Sequence, residues 1–260
     1  MGYIKKILYK LFKFIGDALL SSHASVIRSK YAKSHSLIHR FQVEQREECY
    51  QYFKEYFPSA MLFDRDDDIR SFSISAALEN HNKDDLYLEF GVATGNTINF
   101  FAKYLRPMNA VMHGFDNFTG NTEIWIGNKT RVKGAWNRGG ISPNVETNVK
   151  LIIGDIQNTL SKFIEENDKM INFVHIDVNT YETTKHILEK IKHKLTKRCV
   201  ILFDDYYNLP NWKHGEHGAL LKVFSKDEFK YICFHSGCIA GIQLIDIKKK
   251  INYLFIFFYK

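Results

Sequence analysis

Six carboxylates stand at or just past the ends of five short apolar runs. They are Glu89 in "LYLEF", Asp116 after "AVMHGF", Asp155 in "VKLIIGD", Asp177 in "INFVHID", and the pair Asp204–Asp205 closing "CVILFDD". An ionised carboxyl only accepts hydrogen bonds, and it pairs naturally with a diol or an amine. Any one of these acids also reads as the N-cap of a following helix. Repeated at five run ends, they point instead to one shared crevice, where like charges raise one another's pKa unless cations or donors offset them. The first run leads into "GVATGNT", whose Gly91 and Gly95 let the backbone approach a ligand. That is the pattern of a nucleotide-binding β-turn-α unit.

The elements that must position these acids follow from the spacing. Strand-like runs alternate with helix-like stretches such as "TINFFAKYL", "TLSKFIEEN" and "TTKHILEKIKHKL". The alternation predicts an α/β fold: a doubly wound, mostly parallel, Rossmann-like sheet of about seven strands, with helices on both faces and the ligand at the carboxyl ends of the strands. Residues 1–80 read as mainly helical, with "VEQREECYQYFKEYF" an amphipathic helix and "DRDDD" at 64–68 a solvated loop. The expected division is an N-terminal helical extension over 1–70, the main α/β domain over 71–247, and an apolar, basic tail over 248–260.

With 36 Lys and Arg against 29 Asp and Glu, the 260-residue chain carries a formal charge of +7. Much of the excess sits at the ends. In "MGYIKKILYKLFKFIGDALL" the apolar residues Ile4, Ile7, Leu8, Leu11, Phe12 and Ile15 recur at helical spacing among Lys5, Lys6, Lys10 and Lys13. This amphipathic basic helix either lies on an anionic membrane surface or packs against the domain or a partner subunit. Lys10 and Lys13 interrupt the apolar stretch, which excludes a signal peptide. "KKKINYLFIFFYK" at the other end is too short to span a bilayer and reads as a last strand or a sticky tail. Cys49, Cys199, Cys233 and Cys238 form no CxxC pair, so neither a disulfide framework nor a zinc site is indicated. The expected location is the reducing cytoplasm, with a peripheral contact at the inner membrane face through residues 1–20 as the alternative to packing on the domain or a partner subunit.

Taken in order, "EFGVATGNT", "HGFDNFTG", "LIIGDIQNTL", "HIDVNTYETTK" and "ILFDDYYN" resemble a class I S-adenosylmethionine-dependent methyltransferase. The resemblance runs from about residue 70 to about 246 and includes "KGAWNRGGISPNVETNV" and "NWKHGEHGALLKVF", which are similar to the macrocin O-methyltransferase family of sugar O-methyltransferases. It implies that Glu89, Gly91, Ala93, Gly95 and Thr97 hold the amino-acid end of S-adenosylmethionine. Asp116 would accept from the ribose hydroxyls and Asp155 would lie beside the adenine, with Asn117, Phe118, Ile156 and Asp177 also at the cofactor. It further implies a divalent metal on Asp177, Asp204 and Asp205. Three aspartates without nearby Cys ligands suit Mg²⁺ or Mn²⁺ rather than zinc.

The resemblance allows Asp177 to serve as both ligand and general base, while His214, Glu216 and His217 in "KHGEHG" offer a second source of a base. Relatives commonly carry a second acid where this chain has Asn179, and an amide cannot take a proton. The expected reaction is direct in-line methylation of a sugar or polyol hydroxyl, on a small molecule or a glycoconjugate, by a homo-oligomer, in the simplest case a dimer. Residues 1–40 are expected to pack on the partner subunit or to cover the site. Trp125, Trp136, Tyr206, Tyr207 and Trp212 are candidates for stacking on sugar faces, and equally for core. Two other classes stay in view. A nucleic-acid methyltransferase would account for the charge, but "HIDVNTYE" stands where an Asn/Asp-Pro-Pro-Tyr segment is usual, and so many acids at the rim disfavour phosphate contacts, so no nucleic-acid partner is expected. A non-catalytic scaffold could share the fold.

Overall fold

Among the described residues, hydrogen-bonded pairing joins eight strands into one sheet in the order β1-β7-β8-β6-β5-β2-β3-β4. In chain order these are β1 (Met61–Phe63), β2 (Leu86–Phe90), β3 (Met112–Asp116), β4 (Val149–Ile153), β5 (Ile171–Ile176), β6 (Leu195–Phe203), β7 (Phe229–His235) and β8 (Ala240–Leu244). All neighbours are parallel except β8, which runs antiparallel to both β6 and β7. This is the doubly wound arrangement expected, in a computed structural model that describes residues 12–15, 36–121, 123–124 and 133–246. The chain divides into two units, residues 1–47 and 48–260. Of the first, the described part is a helical turn at 12–15 and the start of helix α1 (Leu37–Phe53). Most of the amphipathic segment 1–20, all of the tail 248–260, and Trp125 lie outside the described residues. No described helix is long and apolar enough to cross a membrane.

The helices α2 (Asp66–Leu78), α3 (Asn96–Leu105), α4 (Ile156–Glu166), α5 (Tyr181–Ile191) and α6 (Glu216–Val223) follow the sheet's two faces. Alternation along the central strands sorts the core. Leu86, Leu88, Phe90, Val174 and Ile176 pack toward α4, α5 and α6 with Leu160, Ile187 and Leu220. Tyr87, Phe173, Val200 and Leu202 pack toward α2 and α3 with Ile74, Ile98, Phe101 and Leu105. Every residue of β2 and of β5 is buried, including Glu89 and His175. Such strands, covered on both sides, read as near-continuous apolar runs, and a polar residue inside one needs a partner.

Two details differ from the sequence reading. The segment read as helical up to residue 80 contains β1, a three-residue edge strand beside β7, too short for a period of two to show. "DRDDD" is exposed as expected but only half a loop: Asp64 and Arg65 lie in a bend, whereas Asp66, Asp67 and Asp68 form the first turn of α2, where carboxylates meet the positive end of the helix dipole. The connections reverse direction at β2, which lies between β3 and β5. The crevice beyond that reversal is where an open α/β sheet takes its ligand.

Candidate active site

A cavity of about 500 Å³ opens at this point and is lined from the carboxyl ends of β2, β3, β5 and β6. Its wall includes Gly91 to Thr94, Thr97, Asp116, Asn117, Asp155 and Ile156 on one side, and Asp177, Asn179, Asp204 and Asp205 on the other. Two groups of predicted residues are thus brought to one space.

The turn after β2 is built around a close approach. Gly91 has φ +89, and a Cβ there would lie 2.1 Å from the carbonyl oxygen of Asp177. Only glycine fits, and its N–H donates to the carbonyl of Phe115 at 3.0 Å. Ala93 also has positive φ, at 44°, and Gly95 caps α3 in the left-handed region. Asp116 organises this strained turn: its Oδ2 accepts the N–H groups of Val92 and Ala93 at 2.8 Å, and its Oδ1 that of Phe118 at 2.7 Å. Its carboxylate therefore works first as an anchor for the turn, while still facing the cavity. Phe118, expected at the cofactor, is instead buried with φ +56 and pins the loop through its carbonyl, which accepts from Arg138 and Gly140.

Glu89 is placed beneath the turn rather than on the cavity wall. Its Oε1 accepts from the Thr97 hydroxyl at 2.9 Å, and its Oε2 lies 3.3 Å from Nδ1 of His175, its direct neighbour across the β2–β5 ladder. The reason is its position inside the strand. Phe90 follows it, so the side chain points into the α3 layer, whereas Asp116 closes β3 and Asp177 and Asp204 come just after β5 and β6.

Asp177, Asp204 and Asp205 each offer an oxygen, and these oxygens lie within 4.8 Å of one another. Burial, then the Asp204 carboxylate, pushes the Asp177 carboxyl well above the usual range. Asp204 behaves in the opposite way: burial would raise it, but His175 and Arg70 outweigh that and hold it below the ordinary value. His175, with no exposed surface, has Nε2 3.7 Å from Asp204 Oδ1. Burial alone would lower its pKa, yet Asp204 and Glu89 on either side raise it to about 10. Neither His175 nor Arg70 was among the residues picked from sequence. A half-buried cluster of hard oxygen donors, one of them costly to ionise unaided, fits a divalent cation such as Mg²⁺ or Mn²⁺.

The histidines of "KHGEHG" go elsewhere. His214 is exposed in the helical turn Trp212–His214 and is not on the cavity wall. His217 is 3% exposed, enclosed by the rings of Tyr52, Phe53, Tyr206 and Trp212 at 4.6–5.5 Å. Burial, then Lys226 and Lys213, lowers it to about 3. Glu216 does reach the acid cluster from behind, accepting the N–H of Asp205 at 3.0 Å. Of the candidate stacking aromatics, Tyr206, Tyr207 and Trp212 are core, while Trp136, 56% exposed, lines the cavity. Asn179 also lines it, with φ +63 and a buried, unpartnered Oδ1.

Residues 88–206 match a family described as a methyltransferase domain. The matched stretch runs from β2 to just past Asp205, the whole of the carboxylate edge. Among solved structures, the chain is similar in fold to CalS11, a calicheamicin methyltransferase, at TM-score 0.59 and 20% identity, covering 87% of this chain and 93% of that one. An apo structure of CalS11, described as a TDP-rhamnose 3'-O-methyltransferase, gives 0.53 and 20% over 81% and 96%. The O-methyltransferase NovP gives 0.51 and 18% over 69% and 79%. No curated protein matches the chain in sequence.

Proposed function

We propose that the chain is an S-adenosylmethionine-dependent O-methyltransferase that acts, with a divalent cation, on a sugar or polyol hydroxyl. The observation that carries this reading is the juxtaposition at Gly91: the ligand-binding turn and the strand end bearing Asp177 touch through their backbones, so both halves of the site share one cavity. The cofactor would bring an activated sulfonium methyl, and the cation, held by Asp177, Asp204 and Asp205, would acidify and orient a hydroxyl.

The chain's own part is positional and electrostatic. Thr94 and Asn96 are at hand for the amino-acid end, Asn117 for the ribose, and Asp155, Ile156 and Gln157 for the adenine. Asp177 is the base this reading favours, since it stands on the cavity wall just past the end of β5, beside Asp204 and Asp205. The acceptor oxygen would give its proton to Asp177 and take the methyl directly, the S–C electron pair remaining on sulfur. A covalent enzyme intermediate is not part of the scheme: Cys238, the thiol on the wall, is kept protonated by burial and by Asp205. His214 and His217 drop out as bases on their placement.

The sugar class is supported by the activity for which CalS11 is described and by Trp136, an exposed ring that lines the cavity together with Asn121, Glu123 and Thr183. Cytoplasmic location, dimerisation and a membrane contact through residues 1–20 belong to this proposal as expectations. Calorimetry with S-adenosylhomocysteine, in Mg²⁺ and then in EDTA, tests it, followed by labelled methyl transfer to a panel of free and nucleotide-linked sugars. Micromolar binding in both buffers with transfer to a sugar supports the reading. Absence of binding in both refutes it.

A further inference from the structure

Among the described residues lining the cavity the one basic side chain is Arg70, and it comes from α2, outside the stretch that matches the methyltransferase domain. Its side chain is only 16% exposed. The guanidinium Nη2 donates to Asp204 Oδ1 at 3.4 Å and lies 3.7 Å from Asp66 Oδ2, while Nη1 lies 3.8 Å from Asp67 Oδ1. Asp66 and Asp67 stand four and three residues before it on the same helix and hold the fork from its solvent side. From the opposite side of Asp204, His175 Nε2 addresses the same oxygen, Oδ1. Two nitrogen-bearing side chains from two different elements thus converge on one carboxylate oxygen, and no described residue hydrogen-bonds the other, Oδ2.

We infer that Arg70 is a positioning residue for a metal ligand: with His175 it fixes Oδ1 of Asp204 and leaves Oδ2 to a divalent cation shared with Asp177 and Asp205. The inference rests on the metal in the proposed function. It also explains why an arginine is tolerated next to a cation site at all. By charge alone a guanidinium repels a dication, so its benefit there has to be geometric, the fixing of a carboxylate that would otherwise rotate. Anion capture by Arg70 fits the surroundings poorly, since Asp66, Asp67 and Asp204 already outnumber its single charge.

The sign of one measurement separates the two effects. The purified full chain and its R70Q and R70K variants are titrated with Mn²⁺ alone, by electron paramagnetic resonance, and separately with S-adenosylhomocysteine by calorimetry. D204N identifies the signal that belongs to the site. Loss of an outer-shell partner weakens metal binding about 10–100-fold, so R70Q is expected in that range. R70K keeps the charge and loses the fork, and is expected to weaken binding by about three-fold or more. S-adenosylhomocysteine affinity should stay within about two-fold in both, which shows that the variants are folded. Unchanged or tighter Mn²⁺ binding in R70Q overturns the inference, and so does R70K at wild-type affinity should R70Q not fold. Failure of the wild type to bind Mn²⁺, or full binding by D204N, overturns the metal assignment itself, a result distinct from the first.

Discussion

Replacing Gly91 by alanine should do more damage than its small size suggests, and the size of the effect can be worked out. A residue with a side chain at φ +89 is strained by about 1–2 kcal/mol. The added Cβ would stand 2.1 Å from the Asp177 carbonyl oxygen and 2.9 Å from its carbon, more than an ångström short of ordinary contact with backbone that cannot swing aside. Forced overpacking of that kind typically costs about 1–3 kcal/mol. To relieve it, the ends of β2 and β5 must part, at the expense of the Asp177 N–H to Phe90 carbonyl bond at 2.9 Å. The expected loss is about 4 kcal/mol, a large fraction of the 5–15 kcal/mol typical of a folded domain.

Gly139 supplies the control. It too has positive φ, at 66°, but nothing lies within 4 Å of where its Cβ would be, so G139A should cost about 1 kcal/mol from conformation alone. Urea unfolding followed by tryptophan fluorescence would read both variants, since Trp212 is 2% exposed in the core. Calorimetry with S-adenosylhomocysteine would read the site, where G91A should lower affinity at least about ten-fold because the turn and Asp177 move apart. If G91A and G139A fall within about 1 kcal/mol of each other and the affinity of G91A is unchanged, the close approach is not what holds the turn.

Three further outcomes are expected. D204A should abolish metal-dependent methyl transfer while S-adenosylhomocysteine affinity stays within about two-fold, and full turnover by that variant would remove the metal from the site. T97V leaves the buried Glu89 Oε1 without its hydroxyl partner and should cost about 1–3 kcal/mol in urea unfolding; an unchanged midpoint would show that Glu89 does not need it. His217 titrates at about 3 in the fold against about 6.5 unfolded, so its contribution is intact above pH 6.5 and drains as pH falls toward 3. At pH 5 that amounts to about 2 kcal/mol, and H217F, which removes the titration, should lose about that much less than wild type between pH 7 and pH 5. His175, raised to about 10, acts in the other direction: its contribution is whole below pH 6.5 and is lost as pH climbs toward 10, which H217F should leave as it was.

The strand ends were legible because each follows a short apolar run, and a run buried on both faces needs no alternation to be seen. Asp116, Asp155, Asp177, Asp204 and Asp205 all reach the cavity wall. Glu89 had a signal against it: Phe90 comes after it, so it sits inside a strand and faces a helix layer. His175 carried the same signal, two residues before Asp177 with Ile176 between them, but its pairing with Glu89 is a ladder register across 86 residues, which no local spacing encodes. Arg70 is harder still, 134 residues from Asp204 and placed by how α2 packs on β6. Its acids could have been read as a helix start, because "DDDIRSFSISAAL" puts three carboxylates before an apolar period. His214 and His217 failed as bases because "KHGEHG" folds into a tight turn and a helix whose buried side faces aromatic rings.

These placements make the site a device of rigid strands more than of loops. The Asp177 backbone is held to Phe90 and abuts Gly91, and Asp204 N–H donates to Ile176, so turn and acid cluster move only if the sheet does. In-line transfer needs the donor carbon and the acceptor oxygen about 3–3.5 Å apart and aligned, and an error of about 1 Å costs on the order of 100-fold. The Glu89–His175–Asp204 row runs beneath both halves and ties the floor of the turn to the acid cluster, with Arg70 closing the row at its outer end. A row of charges with its centre at Glu89 and His175 buried and its outer end at Asp204 and Arg70 partly exposed is weak as a source of stability, because the buried groups have left water. Its worth here is positional: Glu89 and His175 are neighbours across the β2–β5 ladder, so the floor of the turn and the strand end that leads to Asp177 keep a fixed distance.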